Sequence, residues 1–296
     1  MNQYLRIPPE VPSRGVKNQV MGGKTRGMLS STTGREDHSH SSMSTMTLRQ
    51  VGVHVSIAGS FVHAFDRARE RGCDCFQIFT KNPRGWKAKP IEKPDSDAFI
   101  HESEQFRPGT VYAHISYLPN LAGDNSAMYE KSVDALRMEL DRCQALHIPY
   151  LITHLGHAGD DRAHGRARVV QAIDTALEGR EPGTMLLLEN TAGEKHSVGS
   201  TIEDIGDVFG RCEEQNRIGI CFDTCHAFAA GYDLRTPELV GQVADQIQDT
   251  IGVTSLHVIH LKDTREIFWS GLTASVHRAL CPAVAVPSAA TAFVAV

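Results

Sequence analysis

The sequence predicts an α/β fold, a TIM-type (β/α)8 barrel whose eighth strand is missing or atypical, and three observations lead there. Short β-branched or aliphatic runs recur from Val51 onward, with starts mostly 33 to 39 residues apart. Each run is followed by a polar turn and then by a stretch of helical periodicity, the order that parallel strands need for their crossovers. The residue that closes nearly every run is a histidine or a carboxylate, at the strand end where parallel barrels build their sites. A doubly wound open sheet is the alternative arrangement of the same units.

The strands read as Val51 to Ser56, Cys75 to Thr80, Val111 to Ser116, Tyr150 to Leu155, Met185 to Asn190, Ile218 to Thr224 and Leu256 to Asp263. Between them, Val133, Leu136, Leu140 and Cys143 recur at spacings of three and four within Ala127 to His147 and mark one apolar helical face. Thr236 as N-cap, Pro237 at the first helical position and Glu238 in the first turn open another helix, with Val243, Ile247 and Ile251 facing inward. Seven units leave closure to the last 33 residues, where Pro282 to Val286 and Ala292 to Val296 are the candidates for an eighth strand. That tail has no Asp or Glu after Glu266 and is mostly Ala, Val, Ser and Pro, which raises the expectation of a truncated or frame-altered end.

Composition bounds the class. With 296 residues, 41% of them hydrophobic and 22% charged, the chain has enough apolar side chain for a well-buried core, and disorder is excluded for most of it. Residues 1–50 are the exception: rich in Ser, Thr, Gly and Met, with Arg and Lys over acids seven to three, they read as a disordered extension. An over-long start, with Met43 and Met46 just before the first strand, is preferred there over a targeting segment. Residues 51–263 form the barrel region and 264–296 the atypical tail. Seven cysteines without a CxxC pair argue for reduced thiols and a cytoplasmic setting rather than a disulfide scaffold. The apolar stretch Ala279 to Val296 contains Pro282 and Pro287 and falls short of the roughly 20 residues that span a bilayer, so no membrane partner is expected. A net charge of −5 leaves nucleic acid open as a partner, because a basic loop or bound cations can hold phosphates on an acidic protein.

The chemistry gathers at the strand ends. His54, His114, His154, Glu189, Asp223 and His260 close six of the runs, and His226 lies just beyond the sixth. Converging imidazoles and carboxylates would be costly to bury unpaired, whereas divalent metal satisfies them together. The mixed nitrogen and oxygen donors suit zinc first and manganese second. So many ligands exceed the needs of one tetrahedral site, and Glu189, in the middle of the set, is placed to bridge two ions that would clamp a phosphodiester for hydrolysis. After the second strand, the loop Lys81-Asn82-Pro83-Arg84-Gly85-Trp86-Lys87-Ala88-Lys89 sets four cations around one indole, a pattern that can hold a phosphate backbone and stack on a base. Its plainer alternative is a solvated loop with Trp86 packed on the barrel. Tyr117, three residues after His114, either reaches into the same mouth or caps an apolar layer. Cys221 and Cys225 read as small packing residues, and His101, His147, His164, His196 and His277 as surface residues.

The runs Gly52-Val53-His54-Val55-Ser56 with Ala58-Gly59, Phe79-Thr80-Lys81-Asn82, His114-Ile115-Ser116-Tyr117-Leu118, Glu189-Asn190-Thr191-Ala192-Gly193 and Asp223-Thr224-Cys225-His226-Ala227-Phe228-Ala229-Ala230-Gly231-Tyr232-Asp233 resemble endonuclease IV, the zinc-dependent apurinic/apyrimidinic endonuclease family. The resemblance covers about residues 51–263. It implies a barrel with three zinc ions that hydrolyses the phosphodiester 5′ to an abasic site by zinc-activated hydroxide, leaving a 3′-hydroxyl and a 5′-deoxyribose phosphate. It further implies that His114 and His154 are ligands of one zinc, that Glu189 bridges to a second held also by Asp223 and His260, and that His226 is a ligand of the third. Arg84 and Tyr117 fall where the family inserts side chains into the duplex at the lesion, beside Lys81 and Trp86 of the same basic loop. The implied partner is double-stranded DNA with abasic sites, bound by a monomer.

The departures matter as much. After strand seven the family continues with an Asp-x-His pair for the third zinc and, on strand eight, a glutamate for the second; neither is present, and no correspondence is found from Arg265 onward. Lys262 stands where the family usually carries Asn. Two zincs or fewer are therefore expected. The alternatives are a catalytically weak or inactive abasic-DNA-binding barrel, left unclosed with strands one and seven as open edges, and a metal-dependent sugar isomerase or epimerase of the same fold.

Overall fold

Strands buried on both faces need apolar side chains pointing both ways, and near-continuous runs such as Met185-Leu186-Leu187-Leu188 supply them. A computed structural model describes residues 50–107 and 110–261 and the backbone of 291–294. In chain order the elements are β1 (Gln50–His54), α1 (His63–Glu70), β2 (Cys75–Phe79), α2 (Lys93–Phe106), β3 (Val111–His114), α3 (Ser126–Ala145), β4 (Tyr150–His154), α4 (Arg162–Leu177), β5 (Met185–Glu189), α5 (Ile202–Arg211), β6 (Ile218–Asp223), α6 (Thr224–Ala229), α7 (Pro237–Thr250), β7 (Leu256–Leu261) and β8 (Thr291–Val294). All pair in parallel, each strand with the next and β8 with β1, to give a closed barrel.

Helix starts follow local chemistry. Asn125, Asp161, Thr201 and Thr236 each accept a hydrogen bond from a backbone N–H of the first turn of α3, α4, α5 and α7, satisfying a donor that would otherwise lack a partner. Pro237 occupies the first turn of α7, where its missing N–H costs nothing.

Two apolar layers result. The outward-facing residues, among them Phe76, Ile78, Leu151, Leu186, Leu188 and Phe222, pack against the helices. Inside the barrel a smaller cluster joins Cys75, Tyr112, Ile152, Leu187, Cys221 and Val258, all buried. Each lies two residues before Gln77, His114, His154, Glu189, Asp223 or His260, so the period of two along a strand sets one polar side chain directly above each apolar one. Gly52 holds the corresponding position on β1, where a Cβ would lie 1.7 Å from the Cys75 carbonyl oxygen.

Closure corrects one expectation and settles another. Strands one and seven are not open edges: β8 pairs with β7 at Val258↔Thr291 and with β1 at Gln50↔Thr291. The strand falls on the Ala292 to Val296 candidate, where a β-branched and aromatic run, Thr-Ala-Phe-Val, suits a pleated segment between two edges that each lack a neighbour. It is atypical in bringing no carboxylate or imidazole. The Pro282 to Val286 candidate, residues 1–49 and most of the tail lie outside the described residues. Among the described residues no helix is long and apolar enough to cross a membrane. Because Leu187 is fully buried in the inner layer beneath the polar rim, Leu187→Ala is expected to cost about 2–5 kcal/mol in urea unfolding. A loss below about 1 kcal/mol would show that the barrel interior is not close-packed there.

Candidate metal centre

Strand register brings the rim together. His154 is paired with Glu189, Glu189 with Cys221, and Asp223 with His260, so residues far apart in sequence become neighbours around the mouth. Cross-links between strand ends stiffen it: Asn190 Nδ2 donates to Asp223 O at 3.0 Å, Asp223 N donates to Asn190 Oδ1 at 2.6 Å, and Thr224 Oγ1 donates to His260 O at 3.2 Å. Asp223 also caps α6, with Oδ1 accepting from His226 N at 2.9 Å, which fixes the turn that carries His226 over the site.

At the centre is one carboxylate. Glu189 is wholly buried. Its Oε2 is 2.8 Å from His114 Nε2 and 3.4 Å from His154 Nε2, and its Oε1 is 2.8 Å from His260 Nδ1 and 3.7 Å from His226 Nδ1. Asp223 Oδ2 is 3.6 Å from His226 Nδ1 and 3.7 Å from His260 Nδ1. Burial by itself would raise the Glu189 carboxyl; the charges of His260 and His154 and hydrogen bonds from His114 and His260 outweigh it and hold the group well below the usual carboxylate range. For His260, burial acts to lower the imidazole, but Cys221, Glu189 and Asp223 around it raise it well above its ordinary value.

The second nitrogens of these rings decide whether the set suits a cation. His114 Nδ1 donates to Ile115 O at 2.7 Å, His226 Nδ1 to Asn190 O at 2.9 Å, and His260 Nε2 to Gln77 Oε1 at 2.9 Å. Gln77 Nε2 donates in turn to His54 Nδ1 at 3.1 Å, which fixes the amide orientation. With those protons committed, the nitrogen that each of His114 and His260 turns to a Glu189 oxygen at 2.8 Å would become a lone pair aimed at the carboxylate once it gave up its own proton, and a cation there could take that proton's place. Histidines held this way by carbonyl groups are the usual form of metal-ligating imidazole. Three donor groups, each with ligand atoms within 4.8 Å of one another, share Glu189: with His114 and His154, with Cys221 and His260, and with Asp223 and His226. Burial pushes the Cys221 thiol up to about 11, so it remains protonated and serves the inner apolar layer, as does its position there.

The basic loop divides. Arg84 is exposed, and Tyr117 is 65% exposed at the edge of a cavity of about 190 Å³ that His154, His157, Thr191 and His226 also line. Tyr117 N donates to Pro83 O at 3.2 Å, joining the two rim loops. Trp86 is half-buried, with Lys131 Nζ 4.3 Å from its ring centre, so one indole face is already covered. Lys81 is a correction: rather than facing DNA it is buried, and its ammonium donates to Gly85 O at 2.7 Å and to Ser116 Oγ at 2.9 Å beside Glu139. An ammonium removed from water takes every available acceptor. His101, His147 and His164 are exposed, His196 is half-buried, and His277 lies outside the described residues. Sequence reading missed Gln77, which links His54 to His260; its only signal is a polar residue inside an apolar run. Gln77→Leu is expected to weaken divalent-metal affinity about 10- to 100-fold, measured by chelator competition, and an unchanged affinity would show that His260 needs no such anchor.

A family model described as xylose isomerase-like TIM barrel matches residues 65–280, past Asp263 where the motif resemblance ends. The probable endonuclease 4 of Methanoculleus marisnigri is 51% identical over 229 residues, covering 77% of this chain and 81% of that protein. The crystal structure of endonuclease IV from Thermus thermophilus superposes with a TM-score of 0.70 at 28% identity, covering 83% of this chain and 92% of that one. A D-tagatose 3-epimerase-like protein shares the fold, with a TM-score of 0.63 at 16% identity over 82% of this chain and 90% of that one.

Proposed function

This chain belongs to the endonuclease IV family of nucleases, and on that footing we propose that it is a DNA-repair endonuclease that acts as a monomer on double-stranded DNA, hydrolysing the phosphodiester 5′ to abasic sites to leave a 3′-hydroxyl and a 5′-deoxyribose phosphate. The observation that carries this reading is the convergence of four imidazoles on Glu189 beside a rim that presents Arg84 and Tyr117 to solvent. His114, His154 and Glu189 would hold one zinc, and Glu189, Asp223 and His260 a second, with His226 left as a ligand of a third. Zinc bound there would supply Lewis acidity, lowering the pKa of water and neutralising charge on the phosphate oxygens. Since no Asp-x-His pair and no acid follow Glu266, we expect two zincs or fewer per chain.

The protein's own residues perform the remaining tasks. Glu189 and Asp223 would repel a phosphodiester if their charge stood alone; shared among His114, His154, His226 and His260, it leaves the mouth able to accept an anion. Rings kept oriented by Ile115 O, Asn190 O and Gln77 Oε1 need no reorganisation when substrate arrives. Arg84 and Tyr117 stand where planar side chains can fill the gap an abasic site leaves in the base stack, and that gap lowers the cost of unstacking.

Incubation of the purified protein and zinc with an abasic-site duplex is expected to give a single nick 5′ to the lesion. No incision, while a version carrying a family-type C-terminus cuts, would overturn activity for this chain. Glu189→Gln should cost about tenfold more activity than His154→Ala, some 1.4 kcal/mol of barrier, because it weakens both proposed zinc sites at once. Equal losses would contradict the sharing of Glu189.

A further inference from the structure

We propose that a buried ionic cluster of Lys81, Glu139 and Arg142 is the positioning device for the two rim loops that carry Arg84 and Tyr117, an inference that rests on the DNA-repair reading above. Glu139 and Arg142 lie one turn apart on α3, and the Lys81 and Glu139 side chains are 3% and 1% exposed. Glu139 Oε2 accepts from Thr80 Oγ1, and Oε1 accepts no hydrogen bond but has the Lys81 ammonium at 3.5 Å. Arg142 Nε donates to Thr80 Oγ1 at 3.0 Å, and its Nη1 to Lys89 O at 2.8 Å.

These contacts reach the start, the middle and the end of the basic loop. Thr80 precedes it, Lys81 begins it, Gly85 follows Arg84, and Lys89 lies at its far end. Through Ser116 Oγ the same ammonium also holds the residue before Tyr117. Two buried cations against one carboxylate are a costly way to fill space, because apolar residues of equal volume serve packing as well or better. What the ionic cluster adds is direction: its donors match carbonyl groups of the loop, at Gly85 and Lys89. Glu139 touches neither the metal centre nor the proposed DNA path, so it acts through Lys81.

The test uses the full chain with Glu139→Gln and, separately, Arg142→Gln, which leaves the Lys81 and Glu139 pair in place. We expect about tenfold faster trypsin cleavage after Arg84 and Lys87, and about tenfold higher KM for the abasic duplex, with kcat and zinc content within about twofold of the unsubstituted protein. If Glu139→Gln shows no cooperative unfolding, Arg142→Gln decides by the same readouts. Wild-type cleavage rates, a change in only one of the two readouts, or loss of cooperative unfolding in both variants would overturn the proposal. Failure of the DNA reading shows separately, as no duplex binding by the unsubstituted protein; it would overturn the loops' role in DNA recognition while the cleavage rates still report the anchoring.

Discussion

The Glu189 carboxylate has been taken fully out of water, as has that of Asp223 beside it, and is surrounded by imidazoles on both of its oxygens. An ionised carboxylate in such a place costs several kcal/mol unless positive charge compensates it, and the mouth of the barrel is organised around that compensation. The rings come from β3, β4, β7 and the start of α6, so the demand of one residue on β5 ties most of the rim together. The groups that hold His114, His226 and His260 from behind are as much part of this as the rings themselves, since they decide which nitrogen faces inward.

Barrel geometry makes the convergence possible. The inner apolar layer fixes how far each strand projects before its polar residue, and the pairings His154↔Glu189 and Asp223↔His260 set the polar residues at one height. A slip of one residue in β3, β4, β5, β6 or β7 would exchange the imidazole or carboxylate at the rim for the outward-facing side chain beside it, so register and site are one constraint. Above that layer the chain leaves the strands, and the basic loop after β2 must be directed by something other than sheet hydrogen bonds. Charged side chains on α3 take over that work, which is why a helix on the outside of the barrel bears on what the mouth presents.

Much of this was legible in the sequence because the period of a strand and its final residue are local properties. Seven strands fall on the apolar runs, six of which close at His, Glu or Asp, and the helix opened by Thr236 and Pro237 begins at those residues. What stayed hidden is long-range. Lys81 looks like any loop cation until Glu139, far away in sequence, is folded against it. Gln77 looks like an exposed position in an alternating strand, and only closure of the barrel places it between His54 and His260. The eighth strand was the weakest expectation because four residues carry little periodic signal, and it is the two edges waiting beside it that give the run its place.

If the imidazoles around Glu189 share metal cations with it, zinc will bind at that carboxylate. Crystals grown with zinc and measured at the zinc absorption edge test this most directly. Anomalous peaks are expected about 2.0–2.2 Å from Glu189 oxygens, one also in contact with His114 and His154 and another with Asp223 and His260. Occupied zinc elsewhere on the molecule, with none within bonding distance of Glu189, would contradict it.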